Sequence, residues 1–270
     1  KKRFDKCLIV IDKNIPKKNL AVLKRQITCK KKLVFNLNVS EKSKNQKTVN
    51  KILKLLLKNN FNRDDCLIAF GGGITGDVVG FAASIYKRGL KFINLPSTLL
   101  AQVDSSIGGK TGINDDNGKN LIGSFYQPDL VVSDISLLKS LPKREIICGY
   151  GEILKHSLIS GKAKFNFLDK NKYKILNLKK PYIQKALLDS CKIKKNIVEL
   201  DEKEKNLRKV LNFGHTFAHA YEASLGYSKK LNHGEAVILG INSAAKFSLE
   251  NKILSIKKFN KIKKHLISLG

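Results

Sequence analysis

Five short apolar runs in the first half of the chain constrain its fold most strongly. They are CLIVID (7–12), KLVFNL (32–37), CLIAF (66–70), KFINL (91–95) and DLVVSD (129–134). Runs of this length between turn-forming residues predict buried strands. Segments between them, such as NQKTVNKILKLLLKNN, place apolar residues three and four positions apart, which is typical of amphipathic helices. Strands that alternate with helices predict a mostly parallel sheet with right-handed crossovers.

The second half of the chain lacks strand signals. From REIICGYGEILKHSLISG onward, apolar residues recur at helical spacing almost to the last residue. Pro142 suits the start of the first of these helices. We therefore predict an α/β N-terminal domain with a mostly parallel, Rossmann-like sheet over residues 1–137. An all-α domain is predicted over residues 138–270.

The formal net charge of +30 would fit a nucleic-acid partner. Arginine, which nucleic-acid surfaces use for bidentate and stacking contacts, is nevertheless scarce. It occurs only at positions 3, 25, 63, 88, 144 and 208. The lysines that carry the excess charge are spread along the chain and not gathered into one arm. We predict no specific nucleic-acid partner and keep a basic, non-catalytic nucleic-acid-binding protein as the alternative from another class.

Other compositional features favour a cytoplasmic protein without a membrane partner. No run approaches the roughly 18 apolar residues of a membrane span, and CLIVI is too short for the core of a signal peptide. The five cysteines are odd in number, widely spaced and without a C-x-x-C pair, which indicates a reducing compartment. Methionine is absent even from position 1, so we expect the chain to be part of a longer protein.

A triple-glycine turn follows the third predicted strand, in CLIAFGGGITGDVVG. Glycines at 71–73 allow the backbone to approach a ligand closely, because they have no Cβ. A helix expected to begin near Thr75 would direct its free N–H groups at the turn, where a pyrophosphate would fit. A simple tight strand-to-helix connection remains the alternative.

Residues 95–128 form an unusually long polar stretch. The segment is rich in glycine and hydroxyl groups but also contains apolar residues, which argues against disorder. We expect an ordered loop without regular secondary structure, and loops of this length are usually functional. Its position after a strand of a parallel sheet favours ligand binding, and Lys110 and Lys119 beside glycines favour an anionic ligand.

Two histidines, His215 and His219, lie one helical turn apart and share a helix face. His233 follows beside a glycine, and Glu152 stands in GEILKH. One carboxylate and two neutral imidazoles make a common catalytic zinc set, although spacing does not decide which two histidines join the glutamate. A histidine pair with a structural role is the alternative. We interpret His156 and His265 as structural.

Several of these motifs together resemble 3-dehydroquinate synthases. The resemblance rests on GGGITGDVVGFAASIYKRG, LPSTLLAQVDSSIGGKTGIN, GKNLIGSFYQP, GEILKH, LNFGHTFAHAYEA and LNHGEAV, in that family's order. It implies an enzyme that uses NAD and a divalent metal, zinc or cobalt. Such an enzyme converts the anionic sugar phosphate DAHP to 3-dehydroquinate with release of phosphate, in the shikimate pathway. The family also implies a homodimer, in which Arg88 reaches a neighbouring subunit's site.

The resemblance implies three sets of site residues. The metal ligands would be Glu152, His215 and His233, which leaves His219 near the phosphate. The residues that would bind NAD are Asp12, Asn14, Glu41, Lys44, Gly72, Gly73, Asp77, Ser97, Thr98 and Lys119. Those that would act on the substrate are Arg88, Asp104, Lys110, Asn120, Lys155, Lys194, Arg208, Asn212 and His219.

The sequence departs from the family at several positions. Gly151 and Ala218 replace other small residues, for which we expect no functional change, and NDDNGKN replaces a proline-containing turn. The family's additional N-terminal strand and longer C-terminal helical part are not seen, so we expect reduced or no activity. Another sugar phosphate cyclase is the nearest alternative. The more distant iron-dependent polyol dehydrogenases would not explain DSSIGGKTGIN.

Overall fold

A computed structural model describes residues 4–226, 228 and 230–269. The chain divides into two compact units, Lys1–Leu137 and Leu138–Gly270. We call them the sheet unit and the helical unit.

The sheet unit contains a five-stranded sheet in which every pair is parallel, in the order β2-β1-β3-β4-β7. Its strands are β1 (Lys6–Asp12), β2 (Lys31–Leu37), β3 (Cys66–Gly71), β4 (Lys91–Pro96) and β7 (Leu130–Val131). The predicted parallel sheet is confirmed. The fifth strand is shorter than DLVVSD suggests, because only two of its residues pair with β4.

Helices cover both faces of this sheet. They are α1 (Lys17–Gln26), α2 (Gln46–Lys58) and α3 (Gly73–Ile85). Because side chains alternate along a strand, Leu8 and Val10 of β1 belong to one apolar cluster with α2 and α3. Ile9 and Ile11 belong to a second cluster, to which α1 contributes. Burial on both faces explains why β1 and β3 are almost continuously apolar.

The long polar stretch contains a regular antiparallel hairpin, so the expectation of an irregular loop is wrong. A π-helical turn at Ala101–Ser105 precedes β5 (Lys110–Asp115) and β6 (Gly118–Phe125). Gly112 pairs with Gly123, and a Cβ at Gly112 would lie 2.6 Å from the Ile122 carbonyl oxygen. Strands are usually recognised by their β-branched residues. In this hairpin the strands pair through close backbone contact at glycines, so that signal is missing.

In the helical unit, the described residues form six α-helices and no strand, as predicted. The helices are α4 (Lys143–Ser160), α5 (Lys162–Leu176), α6 (Tyr182–Leu200), α7 (His215–Ser224), α8 (His233–Glu250) and α9 (Ile256–Ile267). α4 packs against α5, α6 and α8, while α7 and α9 pack against α8. Among the described residues, none of the helices combines the length and the apolar character required to traverse a lipid bilayer.

His265 anchors α9 to this bundle, which agrees with its structural interpretation. The imidazole is fully buried, with Nε2 3.0 Å from the Tyr150 hydroxyl and Nδ1 2.9 Å from Asp169 Oδ1. Burial lowers the pKa of His265, although the neighbouring Asp169 opposes the shift. A neutral imidazole that satisfies both partners is therefore the form this packing favours.

Candidate functional site

A buried glutamate on α4 forms the centre of the first candidate site. Glu152 is fully buried, and Lys155, one turn further along the helix, places its Nζ atom 2.5 Å from Glu152 Oε2. A carboxylate without water costs several kcal/mol unless positive charge or hydrogen bonds compensate it. The Glu152 carboxylate therefore already has one cationic partner, and its negative charge would also attract a metal cation.

Two histidine side chains converge on the opposite oxygen of this carboxylate. His215 Nε2 lies 3.7 Å and His233 Nε2 lies 3.9 Å from Glu152 Oε1. One ligand atom from each of the three residues lies within 4.8 Å of the other two. Ligand atoms about 2.1 Å from a tetrahedral zinc ion would stand about 3.4 Å apart, so a small contraction would fit these residues to a metal.

His219 lies beside this cluster. Its ring centroid is 5.5 Å from that of His215 and 6.3 Å from that of His233, and the residue is exposed. Helical spacing alone groups His215 with His219, whereas the fold groups His215 with His233. Among the described residues, the geometry therefore favours His215 with His233 over His215 with His219 as the partners of Glu152.

Close helix packing brings the three side chains together. A Cβ on Gly151 of α4 would lie 2.7 Å from the Gly234 carbonyl oxygen of α8. A Cβ on Gly240 would lie 2.9 Å from the Ala218 nitrogen of α7. Glycines at these contacts allow backbones to approach in a way that larger residues would prevent. The glycine departure at Gly151 is therefore part of the α4–α8 contact.

The N-terminus of α8, where His233 lies, is fixed to α4. Asn232 and Glu235 form a capping box, and Arg144 donates to both Glu235 oxygens at 2.6 and 2.7 Å. The Arg144 guanidinium lowers the pKa of the Glu235 carboxyl group. Neither Arg144 nor Glu235 was identified from the sequence, although N-x-x-E in LNHGEAV is a recognisable capping signal.

His156 lies closer to the candidate metal site than its structural interpretation implies. It is fully buried, with Nδ1 2.6 Å from Ser190 Oγ and Nε2 3.9 Å from Glu152 Oε2. Together with Lys155, it places a second nitrogen near this oxygen. The one-turn spacing of Glu152 and His156 was the sequence signal for this contact.

The other predicted substrate residues of the helical unit have different environments. Lys194 of α6 is buried, as is Arg208 in the 3₁₀ turn Leu207–Asn212. The Arg208 guanidinium donates to the Glu202 carbonyl oxygen, and its backbone N–H donates to Asp201 at 3.0 Å. Asn212 is exposed and donates to Glu204 at 2.8 Å. Buried cations of this kind suit an anionic ligand.

The second candidate site lies in the sheet unit, at the carboxyl edge of the parallel sheet. Asp12 ends β1 and accepts a hydrogen bond from the Asn14 backbone at 2.9 Å. Gly72 and Gly73 follow β3, where α3 begins at Gly73, two residues before the expected start. Open parallel sheets with this strand order bind ligands at the carboxyl ends of their strands.

Ser97 and Thr98 follow β4 at the same edge. The Ser97 N–H donates to the Gly71 carbonyl oxygen at 2.8 Å, which ties the glycine turn to the end of β4. A Cβ on Gly72 would lie 3.3 Å from the Thr98 methyl carbon. The predicted glycine and hydroxyl residues are thus neighbours, in an arrangement that suits backbone contact with phosphate.

A polar network links this edge to the hairpin. Lys44 is buried, and its Nζ atom lies 2.6 Å from Asp77 Oδ2 and 2.5 Å from Asn120 Oδ1. Removal from water raises the pKa of Asp77, while the Lys44 cation opposes that rise. Asn120 adopts a left-handed conformation, with φ of 58°, which asparagine tolerates better than most residues.

Asn114 holds the other end of the network and was missed by the sequence analysis. Its side chain donates to Glu41 Oε2 at 2.8 Å and accepts from the Asn120 N–H at 3.0 Å. Its own N–H donates to the Lys44 carbonyl oxygen. Because Asn114 lies in a strand that we expected to be a loop, no pairing pattern drew attention to it.

The remaining predicted residues of the sheet unit are less enclosed. Lys110 and Lys119 are exposed on the hairpin, and Asp104 is half-buried in the π-helical turn. Arg88 is exposed in the 3₁₀ turn Tyr86–Arg88, with φ of 63°. Because the backbone is left-handed at Arg88, this residue does not continue the right-handed helix α3.

Family models match almost the whole chain. A model described as 3-dehydroquinate synthase N-terminal matches residues 34–148, and one described as 3-dehydroquinate synthase C-terminal matches residues 149–270. A 3-dehydroquinate synthase from Pelagibacter ubique strain HTCC1062 is 64% identical over 267 residues, which cover 99% of this chain and 73% of that protein.

Solved structures of two other synthases are similar over nearly the whole chain. A 2-deoxy-scyllo-inosose synthase complexed with carbaglucose-6-phosphate, NAD+ and Co2+ has a TM-score of 0.90 and 26% identity, over 100% of this chain and 73% of that one. The 2-epi-5-epi-valiolone synthase of Streptomyces hygroscopicus subsp. jinggangensis 5008, with NAD+ and Zn2+ bound, has a TM-score of 0.89 and 25% identity, over 98% and 74%. Both family models and the high identity to a curated member place this chain in the 3-dehydroquinate synthase family.

Proposed function

We propose that the chain cyclises DAHP to 3-dehydroquinate with release of phosphate, using NAD and a divalent metal. The observation that carries the proposal is the convergence of Glu152, His215 and His233, whose ligand atoms lie within 4.8 Å of one another. The 64% identity to a 3-dehydroquinate synthase, against 26% or less to the solved cyclases named above, favours this reaction over that of another sugar phosphate cyclase.

The helical unit would hold the metal through these three side chains. Zinc or cobalt, when bound, would polarise a substrate hydroxyl as a Lewis acid. Lys155 neutralises part of the Glu152 charge, and His156 faces the same oxygen. These neighbours restrict the carboxylate and direct its other oxygen towards the two histidines.

The sheet unit would bind NAD at the carboxyl edge of its sheet. NAD, when bound, would accept a hydride from the substrate and return it later, so that it is not consumed. The glycine turn would approach the pyrophosphate through backbone N–H groups. Asp12, Glu41, Lys44, Asp77 and Lys119 would supply polar contacts, with Lys44 held in place by Asp77 and Asn120.

Cationic and polar side chains would bind the substrate, which carries a phosphate and a carboxylate. Lysine and arginine recognise both groups through charge-assisted hydrogen bonds. His219, beside the candidate metal ligands, would face the phosphate. The other residues proposed for this role are Arg88, Asp104, Lys110, Asn120, Lys155, Lys194, Arg208 and Asn212.

A phosphate-release assay tests this proposal. DAHP should yield inorganic phosphate and 3-dehydroquinate only when NAD is present, a chelator should abolish the reaction, and Zn2+ or Co2+ should restore it. A hexose 6-phosphate, which lacks the carboxylate, should not react. Turnover of that compound without turnover of DAHP would instead identify another cyclase, and binding of nucleic acid without either reaction would support the non-catalytic alternative.

We also infer a cytoplasmic homodimer. Support for the location comes from the free cysteines, which are typical of a reducing compartment. Arg88 is exposed on a turn with a left-handed backbone, from which its side chain could reach a neighbouring subunit. An Arg88→Ala chain mixed with a Glu152→Gln chain should regain activity if Arg88 serves the partner's site, whereas light scattering that reports a monomer would contradict the dimer.

A further inference from the structure

A glutamate outside the three candidate ligands faces the far side of His233. Glu222 Oε1 lies 3.4 Å from His233 Nδ1, while His233 Nε2 lies 3.9 Å from Glu152 Oε1. The two ring nitrogens of His233 therefore face two different carboxylates. Glu152 belongs to the candidate ligand set, and Glu222 does not.

The placement of Glu222 follows from the geometry of α7. His215 and Glu222 are seven residues apart, two helical turns, and thus share one face of α7. His233 is the first residue of α8, which packs against α7. One helix consequently supplies both a candidate ligand and a carboxylate that contacts the other histidine.

The two candidate ligand histidines differ in how their orientation is controlled. His215 Nδ1 lies 3.5 Å from the Phe213 carbonyl oxygen, which belongs to the backbone just before α7. His233 has 36% of its side chain exposed, against 14% for His215. The more exposed ring therefore has more need of a side-chain partner to fix its orientation.

An imidazole binds a metal through a nitrogen without a proton. A carboxylate that accepts the Nδ1–H group keeps the proton on that nitrogen, leaves the Nε2 lone pair available and fixes the ring plane. The Glu222 side chain is only 13% exposed, so water competes weakly for its oxygens. At 3.4 Å from His233 Nδ1, Glu222 Oε1 lies slightly beyond ordinary hydrogen-bond distance, and a small movement would bring it into this supporting role.

We propose that Glu222 is a positioning residue that orients His233 Nε2 towards the metal. The inference rests on the proposed function only in requiring a metal bound by Glu152, His215 and His233. It adds a residue that acts through His233 without touching metal or substrate.

Zinc titration of the purified protein against a chromophoric chelator tests the proposal. Removal of a partner of this kind usually weakens metal binding about 10–100-fold, and we expect that loss for Glu222→Ala. Glu222→Gln, which retains a carbonyl oxygen as acceptor, should recover part of the affinity. The control Glu250→Ala removes an exposed glutamate of α8, which pairs with Lys246 at 3.7 Å, and should bind zinc as the parent does.

Cobalt absorption separates positioning from general destabilisation. Replacement of zinc by Co2+ should give a visible spectrum whose bands shift in Glu222→Ala and shift less in Glu222→Gln, while metal-free thermal unfolding changes little. Unchanged zinc affinity and an unchanged cobalt spectrum in both variants would overturn the role of Glu222. Failure of the parent protein itself to bind either metal would contradict the proposed function. If Glu222→Ala does not fold, the Glu222→Gln comparison decides.

Discussion

The two candidate sites are built in opposite ways. In the sheet unit, residues from several strand ends meet because parallel strands present their carboxyl ends at one edge. In the helical unit, Glu152, His215 and His233 come from three helices, which meet because glycines allow close backbone contact. Strand order therefore positions the first site, whereas helix packing positions the second. The variants made at one site should damage that site and spare the other.

The largest expected effect is loss of the metal from Glu152→Gln. Three protein ligands with one open position are usual for catalytic zinc, and an amide oxygen replaces the anionic one poorly. Elemental analysis should find zinc falling from about one equivalent per chain to near zero, with turnover lost. NAD affinity, measured by fluorescence titration, should be retained.

The matched control for this variant is Glu199→Gln on α6. Glu199 is exposed and pairs with Lys195 at 2.8 Å, and exposed pairs of this kind contribute little. It should retain both zinc and NAD. Full zinc content in Glu152→Gln would remove Glu152 from the ligand set and weaken the contrast between the sites.

Gly240→Ala tests whether helix packing positions the metal ligands. The added methyl group would lie 2.2 Å from the Gly214 carbonyl oxygen and 2.9 Å from the Ala218 nitrogen, so α7 and α8 would have to separate. Overpacking of this kind costs about 1–3 kcal/mol. We expect that loss in urea unfolding of the metal-free protein, together with weaker zinc binding by competition titration. Normal zinc affinity in a variant destabilised by this amount would show that the ligands do not depend on this contact.

Gly72→Ala is the corresponding change in the sheet unit. Gly72 has φ of −77°, which any residue can adopt. Among the described residues, the new Cβ would meet the Thr98 side chain, with the methyl carbon at 3.3 Å and the hydroxyl oxygen at 3.6 Å. We therefore expect little loss of stability. The methyl group would occupy space that close backbone approach to a pyrophosphate needs, so NAD affinity should fall about tenfold while zinc content stays unchanged. Equal NAD affinity in this variant would place the nucleotide elsewhere.

Gly240 and Gly72 also indicate how much of the fold and of the candidate sites could be predicted from the sequence. The turn at 71–73 was identified because a strand, a glycine run and a helix are adjacent in the chain, and the sheet edge then followed from topology. Gly240 gave no signal and Gly151 was noted only as a departure from the family, because the significance of both depends on which helices they face. Periodicity identifies helices and their apolar faces but does not give their packing partners. The histidine pair could not be chosen from spacing for that reason.

The hairpin shows a different kind of failure. Asn117-Gly118 is a recognised turn signal between two strands, yet the flanking segments are polar and contain glycine, which favours a loop assignment. The pairing depends on close backbone approach at Gly112 and Gly123. Asn114, which lies in this hairpin, was consequently overlooked as a contact of Glu41 and Asn120.

Asn114→Ala should produce a smaller change at the sheet edge. The variant removes one hydrogen bond donated to Glu41 and one accepted from Asn120. Because both are on exposed residues, a loss of about 1 kcal/mol is expected, equivalent to about fivefold in NAD affinity if the network orders the site. Fluorescence titration with NAD would measure it, and Asn117→Ala at the hairpin turn provides a control in the same element. An equal loss in both variants would indicate a general weakening of the hairpin.

The smallest effect concerns a buried histidine outside the candidate metal site. Because burial lowers the pKa of His265 below its ordinary value, the folded state binds fewer protons here than the unfolded state. The contribution of this group to stability is therefore complete above pH about 6.5 and is lost as the pH falls below that value. One proton accounts for a slope of at most about 1.4 kcal/mol per pH unit.

Urea unfolding of the metal-free protein between pH 8 and pH 5 isolates this contribution. His265→Gln should be less stable at pH 8, because the bonds to Tyr150 and Asp169 are altered, but its stability should decline less steeply below pH 6.5. Lys257→Gln, an exposed change in the same helix, should keep the parent's slope. An identical slope in His265→Gln would mean that this imidazole is protonated as easily in the folded protein as in the unfolded chain. A flatter slope in His265→Gln would instead extend the contrast within the helical unit, between histidines arranged for a metal and a histidine that packing holds neutral.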